Sequence, residues 1–195
     1  MIGQIENKSK FNSFIQDYRP EIKFVLTFSI GLVVSFLIIN QKTMADHVVK
    51  PITVAETYIA SQVLSHVLGF PNEQKGAHMS GKEGNYFRME VRNNCNGVYE
   101  SIVFLMAFIA IQIPWRRKIG WMSFGFLLFH TINEMRLVSL FIIGSKYTND
   151  AFVFFHETFW NYALVILTLG IFIFCAHQVS KAPVVKAKET EPKSV

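Results

Sequence analysis

The strongest constraint on this chain is the grouping of its apolar residues into four long blocks, with the charges pushed between them. A soluble domain would alternate polar and apolar residues on a shorter period. A helix crosses the hydrocarbon core of a bilayer in roughly 20 apolar residues. The blocks at 22–40, 97–113, 120–143 and 155–176 each approach or exceed that length. The expected fold is therefore an all-α integral membrane protein with about four transmembrane helices. With 195 residues, of which 51% are hydrophobic and 19 are Phe, the chain suits one compact unit rather than two. The third block carries His130, Asn133, Glu134 and Arg136, which makes it the least lipid-like.

The net charge of +5 does not point to nucleic acid, because the basic residues flank the apolar blocks. Read as topology signals, they fix an orientation. Lys8, Lys10, Arg19 and Lys23 precede the first block, and Arg116, Arg117 and Lys118 follow the second. Lys181, Lys186, Lys188 and Lys193 follow the fourth, whereas the short third connection has only Lys146. Both termini and the 114–118 turn are expected in the cytoplasm, and 41–96 outside. The organisation is then a cytoplasmic tail at 1–21, a membrane domain at 22–176 and a basic, disordered cytoplasmic tail at 177–195. The first block reads as an anchor rather than a cleaved signal, since Gln41-Lys42 interrupts the approach to Thr43-Met44-Ala45.

The outer segment has order of its own. Ile52, Ala55, Ile59, Val63 and Val67 recur at helical spacing, so 51–68 is expected as an amphipathic helix on the membrane surface or over the other helices. Glu56, Gln62 and His66 argue against a fifth span. Residues 80–85 read as a turn, and 86–92 alternate as a short strand, half of a β-hairpin.

Topology also places three unusual side chains at one level. Cys95 precedes the second block, Arg136 lies in the outer half of the third, and His156 opens the fourth. A thiol is a weak nucleophile until it becomes a thiolate, and a nearby cation favours that form. His156 could take the thiol proton and return it to a leaving amine. Arg136 costs about 2.5–3.5 kcal/mol at a helix centre on insertion scales, which suggests a partner: a thiolate, an oxyanion or a carboxylate. The plainer alternatives are an inert Cys95, an ordinary interfacial His156 and an Arg136 that reaches up to the surface. Asn133 shares the helix face of Arg136, while Glu134 points away from it. His130 reads as a buried polar contact, and His47, His66 and His78 lack metal-ligand spacing. Cys175 falls at the opposite face from Cys95, so no disulfide between them is expected, and it reads as a small apolar residue.

At these residues the sequence resembles the exosortase/archaeosortase family, integral-membrane cysteine transpeptidases with a Cys, Arg and His set. The resemblance is carried by Asn94-Cys95-Asn96-Gly97 before one block, Asn133-Glu134-Met135-Arg136 within the next, and His156 at the start of the last. The strings Cys95-Asn96-Gly97-Val98, Pro114-Trp115-Arg116-Arg117, Arg136 to Phe141 and His156 to Trp160 look closest to the short exosortase H type. The resemblance implies an enzyme of a bacterial inner membrane with its site facing outward. Its substrates would be exported proteins ending in a short PEP-CTERM-like motif, one transmembrane helix and a basic tail. Cys95 would form a thioester, Arg136 would stabilise the oxyanion or orient the thiolate, and His156 would be the acid/base. Asn94, Asn96, Asn133 and Trp160 would support the site or bind substrate. The acyl group would pass to a lipid or glycan acceptor, and no metal or organic cofactor is called for. The rival readings are a membrane cysteine endopeptidase that hydrolyses the same bond, and a non-catalytic assembly or carrier protein with Arg136 as an anchor.

Overall fold

The computed structural model describes residues 16–82, 87–93 and 95–181. Helix α1 spans Arg19–Ile39, α2 spans Lys50–Gln62, and strands β1 (Asn72–Lys75), β2 (His78–Gly81) and β3 (Arg88–Glu90) follow. Helix α3 is Val98–Ala110, α4 is Trp115–Lys146, α5 is Asn149–Val153 and α6 is Trp160–Lys181. Wide π-type turns at Ala45–Val49 and Val63–Val67 flank α2, and another at Phe154–Phe159 joins α5 to α6.

Three helical stretches are long and apolar enough to cross a membrane: α1, α4 and the continuous run Asn149–Lys181. The block expected as the second span is shorter. Helix α3 has 13 residues, about 20 Å at 1.5 Å per residue, against a core of about 30 Å. It stops because Ile111 turns to an extended conformation, with ψ 130°, and because Pro114 disfavours helix at the residue before it. Pro114 then caps α4, and Lys118, expected in an exposed turn, is buried in that helix with only 4% exposed. Its Nζ donates to the Ile109 carbonyl at 2.9 Å, satisfying an orphan acceptor at the end of α3.

Helix α2 is amphipathic, and its polar face is the buried one. Its inward residues are Thr53, Glu56, Thr57, Ala60 and Ser61, continued by Leu64 in the next turn. Ile59 and Val67, of the apolar stripe expected against the membrane surface or the other helices, are 48% and 74% exposed. The reason is the solvent. Against lipid an aliphatic face needs no cover, whereas hydroxyls and a carboxylate must find partners inside. Ser61 Oγ donates to Asn72 Oδ1 at 2.6 Å, which docks α2 on the first strand.

The expected hairpin is a three-stranded antiparallel sheet in the order β1-β2-β3. Its first turn is at Gly76, with φ 62°, a left-handed conformation that favours glycine. Ser80 and Gly81, expected in a turn, belong to β2, while 83–86 lie outside the described residues. Met79 pairs with Met89, and Met89 and Val91 are buried while Arg88, Glu90 and Arg92 are exposed, as strand alternation requires.

Two apolar clusters hold the bundle. One sets Met79, Met89 and Val91 of the sheet segment against Leu137, Leu140 and Phe141 of α4, with Ala60 and Leu64 beside them. The other packs Phe104 and Phe108 of α3 against Phe129 of α4 and Leu164, Ile171, Cys175 and Val179 of α6. Helix α1 has no buried residue. It touches α3 through the Phe36–Tyr99 stack at 5.7 Å and the Tyr99 hydroxyl bond to Asn40 Oδ1 at 3.1 Å. Helix α6 runs to Lys181, five residues into the segment expected as tail; the remainder of that tail and 1–15 lie outside the described residues.

Candidate active site

The site forms where the Cys95 loop enters α3. Gly97 precedes the helix with φ 68°. A Cβ there would come within 2.8 Å of the Phe129 ring and 3.3 Å of Asn133 Nδ2, so conformation and space both require glycine. Asn96 shapes the same turn. It is fully buried; its Oδ1 accepts from the Val98 amide at 3.0 Å, and its Nδ2 donates to Thr53 Oγ1 at 2.7 Å. Asn94 lies outside the described residues.

This loop presents Cys95 to two groups from other segments. Cys95 Sγ lies 3.5 Å from His156 Nε2. Arg136 Nη2 approaches the same sulfur at 4.0 Å. The three residues that topology placed at one level are thus brought into one cluster. Arg136 is 2% exposed, so its charge is held inside the bundle rather than raised to the surface, and its Nε has no partner among the described residues.

Each group is held by its surroundings. His156 sits in the wide turn Phe154–Phe159, and its ring stacks on Phe152 with centroids 5.7 Å apart and planes 7° apart. Wide turns of this type shift side chains out of ordinary helical register and recur at functional sites. Behind Arg136, Ser139 Oγ donates to the Arg136 carbonyl at 2.8 Å, and Trp160 Nε1 donates to Ser139 Oγ at 3.0 Å. Trp160 therefore braces α4 against α6. Asn133, one turn from Arg136, donates to Glu56 Oε2 at 3.2 Å.

A cavity of about 280 Å³ opens on the cluster. Cys95, His156, Phe152, Leu137 and Leu140 line it together with Arg88 to Arg92. The sheet's contribution, the Phe152 stack and the Ser139 link were not read from sequence. Two of them had a usable signal: Phe152 stands four residues before His156, and Ser139 three after Arg136, each on a shared helix face.

Other residues fall elsewhere. His130 is bound to Glu56 and Ser101, away from the sulfur, and Cys175 is fully buried in the cluster around Phe104. Neither Cys95 nor Cys175 is in a disulfide.

No curated protein and no solved structure matches the chain. The family model described as transmembrane exosortase, of the EpsH type, matches residues 20–175, which include α1 apart from Arg19, the sheet and the whole of the Cys95, Arg136 and His156 cluster. By that match, over most of its length, the chain belongs to the transmembrane exosortase family of membrane-integral processing enzymes.

Proposed function

We propose that this protein is a cysteine transpeptidase that cleaves C-terminal sorting signals of exported proteins and transfers the released acyl group to a cell-surface acceptor. The observation that carries the reading is the meeting of a thiol, an imidazole and a buried guanidinium from three separate segments, at 3.5 Å and 4.0 Å around one sulfur.

The steps follow from those positions. His156 Nε2 accepts the Cys95 proton, and the Arg136 guanidinium offsets the charge left on sulfur. The thiolate attacks the carbonyl carbon of the scissile peptide bond. Arg136 donates to the oxyanion of the tetrahedral intermediate or holds the thiolate until attack. The C–N bond breaks as His156 returns the proton to the leaving amine, leaving a thioester on Cys95. An acceptor hydroxyl or amine then loses its proton to His156, attacks the thioester and frees the thiol. A substrate tethered by its own transmembrane helix meets the site in two dimensions, which supplies part of the alignment. Asn96 holds the Cys95 turn, Asn133 and Trp160 brace the Arg136 helix, and Asn94, next in sequence to the nucleophile, is assigned a supporting place. The Lys and Arg flanks support an orientation with this end of the bundle facing outward, and the reading assigns it to a bacterial inner membrane.

The test is to trap the acyl-enzyme. A model substrate incubated with the membrane-inserted protein, then denatured in acid, should yield a Cys95-linked adduct that hydroxylamine releases. The product should carry the added mass of the acceptor. A product with a free carboxylate instead would make the protein an endopeptidase, and absence of any adduct with an unimpaired Cys95→Ser variant would leave it non-catalytic.

A further inference from the structure

We propose that Thr53 and Glu56 of α2 are positioning residues for the reaction centre, fastening the loop that carries Cys95 to the helix that carries Arg136. This inference rests on the proposed function for its meaning, although its main test does not. The two residues are three apart and share one helix face. They are 1% and 5% exposed, a polar pair turned into a bundle that otherwise buries mostly apolar side chains.

Thr53 holds the loop. Its Oγ1 accepts from Asn96 Nδ2 at 2.7 Å and lies 3.2 Å from Asn93 Oδ1 and 2.9 Å from the Val49 carbonyl. One hydroxyl proton serves those two acceptors. Asn93 and Asn96 stand on either side of Cys95, so a single hydroxyl touches both flanks of the nucleophile. Glu56 holds the helix. Its Oε1 lies 2.7 Å from His130 Nδ1, and its Oε2 accepts from Asn133 Nδ2 at 3.2 Å. His130 and Asn133 are two turns and one turn from Arg136. Asn133 Nδ2 is also one of the atoms that close the space over Gly97, so the two attachments meet at the base of the Cys95 turn.

The chemistry explains why these types stand here. A hydroxyl can donate and accept at once, which a loop with two asparagine amides needs. A carboxylate accepts at both oxygens, which lets one residue engage two donors on successive turns of α4. Displacing a reacting group by about 1 Å can cost about 100-fold in rate, so the attachments act on chemistry rather than on binding.

The first measurement is the alkylation of Cys95 by a small maleimide as a function of pH, made on full-length protein in detergent with Cys175→Ala. It reports on the surroundings of the sulfur, which His156 and Arg136 approach at 3.5 Å and 4.0 Å. Arg88, Glu90 and Arg92, which line the same cavity, are left unchanged in every variant. Thr53→Val should displace the alkylation profile from that of wild type, because the loop that sets the sulfur against His156 and Arg136 loses its attachment. Thr53→Ser, which keeps the hydroxyl, should restore it. Glu56→Ala should act like Thr53→Val; Glu56→Gln should act less, because Asn133 can turn its amide to match. The second measurement is turnover of a model substrate: kcat should fall roughly 10- to 100-fold with KM little changed. Tyr58→Phe, on the exposed face of α2, is the control for a bystander change in that helix. Thermal midpoint in detergent identifies a variant that is merely unfolded, and Thr53→Ser then decides. An unchanged alkylation profile in folded Thr53→Val, or a Thr53→Ser as impaired as Thr53→Val, overturns the proposal. If wild type processes no substrate at all, the proposed function fails, and the alkylation profile still tests the positioning.

Discussion

Cys95 and Ser101 each face a histidine at close range, 3.5 Å to His156 and 2.9 Å to His130, yet the two arrangements differ in what they leave unsatisfied. Ser101 is 4% exposed, and its amide is spent on the Gly97 carbonyl within the helix. His130 is held on one side by Ser101 and on the other by Glu56. The cavity beside them, about 600 Å³, is walled mainly by side chains such as Ile52, Ile102, Leu105 and Phe126. Among the described residues that line it there is no arginine or lysine. At Cys95 the residue borders a cavity that Arg88 and Arg92 also line, and the buried Arg136 has an Nε with no partner among the described residues. What the His130 chain leaves over among the described residues is acceptors, Asn133 Oδ1 and both Glu134 oxygens, whereas the Cys95 cluster leaves a donor. A cluster that borders a cavity with a donor to spare can act on something else.

The largest expected effect tests that contrast directly. Cys95→Ala and His156→Ala should each lower substrate processing by more than about 1,000-fold, as loss of a nucleophile or its base does in other cysteine and serine enzymes. Ser101→Ala should reduce it by less than about tenfold, the scale of one lost buried hydrogen bond. The measurement is processing rate normalised to membrane-inserted protein. A Ser101→Ala variant as dead as Cys95→Ala would erase the distinction between the two sites.

Arg136→Lys sharpens the same comparison. Lysine keeps a cation at similar depth but loses the planar fork of donors. If the fork acts in the transition state, turnover should drop about 100- to 1,000-fold with little change in membrane abundance. A rate within about threefold of wild type would reduce Arg136 to a charge.

The two clusters were not equally legible in the sequence. Cys95, Arg136 and His156 are each conspicuous in their blocks, and positive-inside orientation alone brings them to one level. The Glu56 cluster is hidden in the sequence, because the stripe that stands out on its helix is the aliphatic one. In a soluble protein the stripe Ile52, Ala55, Ile59, Val63 would face inward. Here Thr53, Glu56, Thr57, Ala60, Ser61 and Leu64 follow the same 3–4 spacing and form the buried stripe. Small and hydroxyl-bearing residues let helices approach closely and hydrogen-bond in lipid. The three-stranded sheet was legible only at β3, where apolar and charged residues alternate. Strands β1 and β2 are short and mostly polar, so their pairing is set by the turn at Gly76 and by Met79 packing, not by a pattern along the chain.

Gly97 offers a medium effect that separates conformation from space. Gly69 and Gly97 have nearly the same left-handed φ, 61° and 68°, but a Cβ on Gly69 meets nothing within 4 Å. Gly69→Ala should therefore cost only the strain, about 1 kcal/mol, and leave processing intact. Gly97→Ala adds the clash with Phe129 and Asn133 and should cost about 1–3 kcal/mol more, with loss of processing. Thermal midpoints in detergent for the two variants, side by side, check the difference. Equal midpoints would mean that Phe129 yields and that the Cys95 turn is not tightly held.

The smallest expected effect is a slope rather than a loss. Burial of Glu56 pushes its carboxyl above the ordinary value, opposed by the His130 hydrogen bond and charge and by Asn133, and aided by Glu100. Glu134 faces the same region from α4. A carboxyl that holds its proton more tightly folded than unfolded contributes stability at pH below its unfolded value. That contribution is lost as pH rises through the folded value. Wild type should therefore lose stability relative to Glu56→Gln on going from acid toward neutral pH, because only wild type has a buried group to ionise. Thermal midpoints of both forms across that range, in one detergent, measure the slope. Should wild type instead gain on Glu56→Gln as pH rises, the ion pair with His130 would outweigh burial, and the cluster would be held by charge rather than by a shared proton.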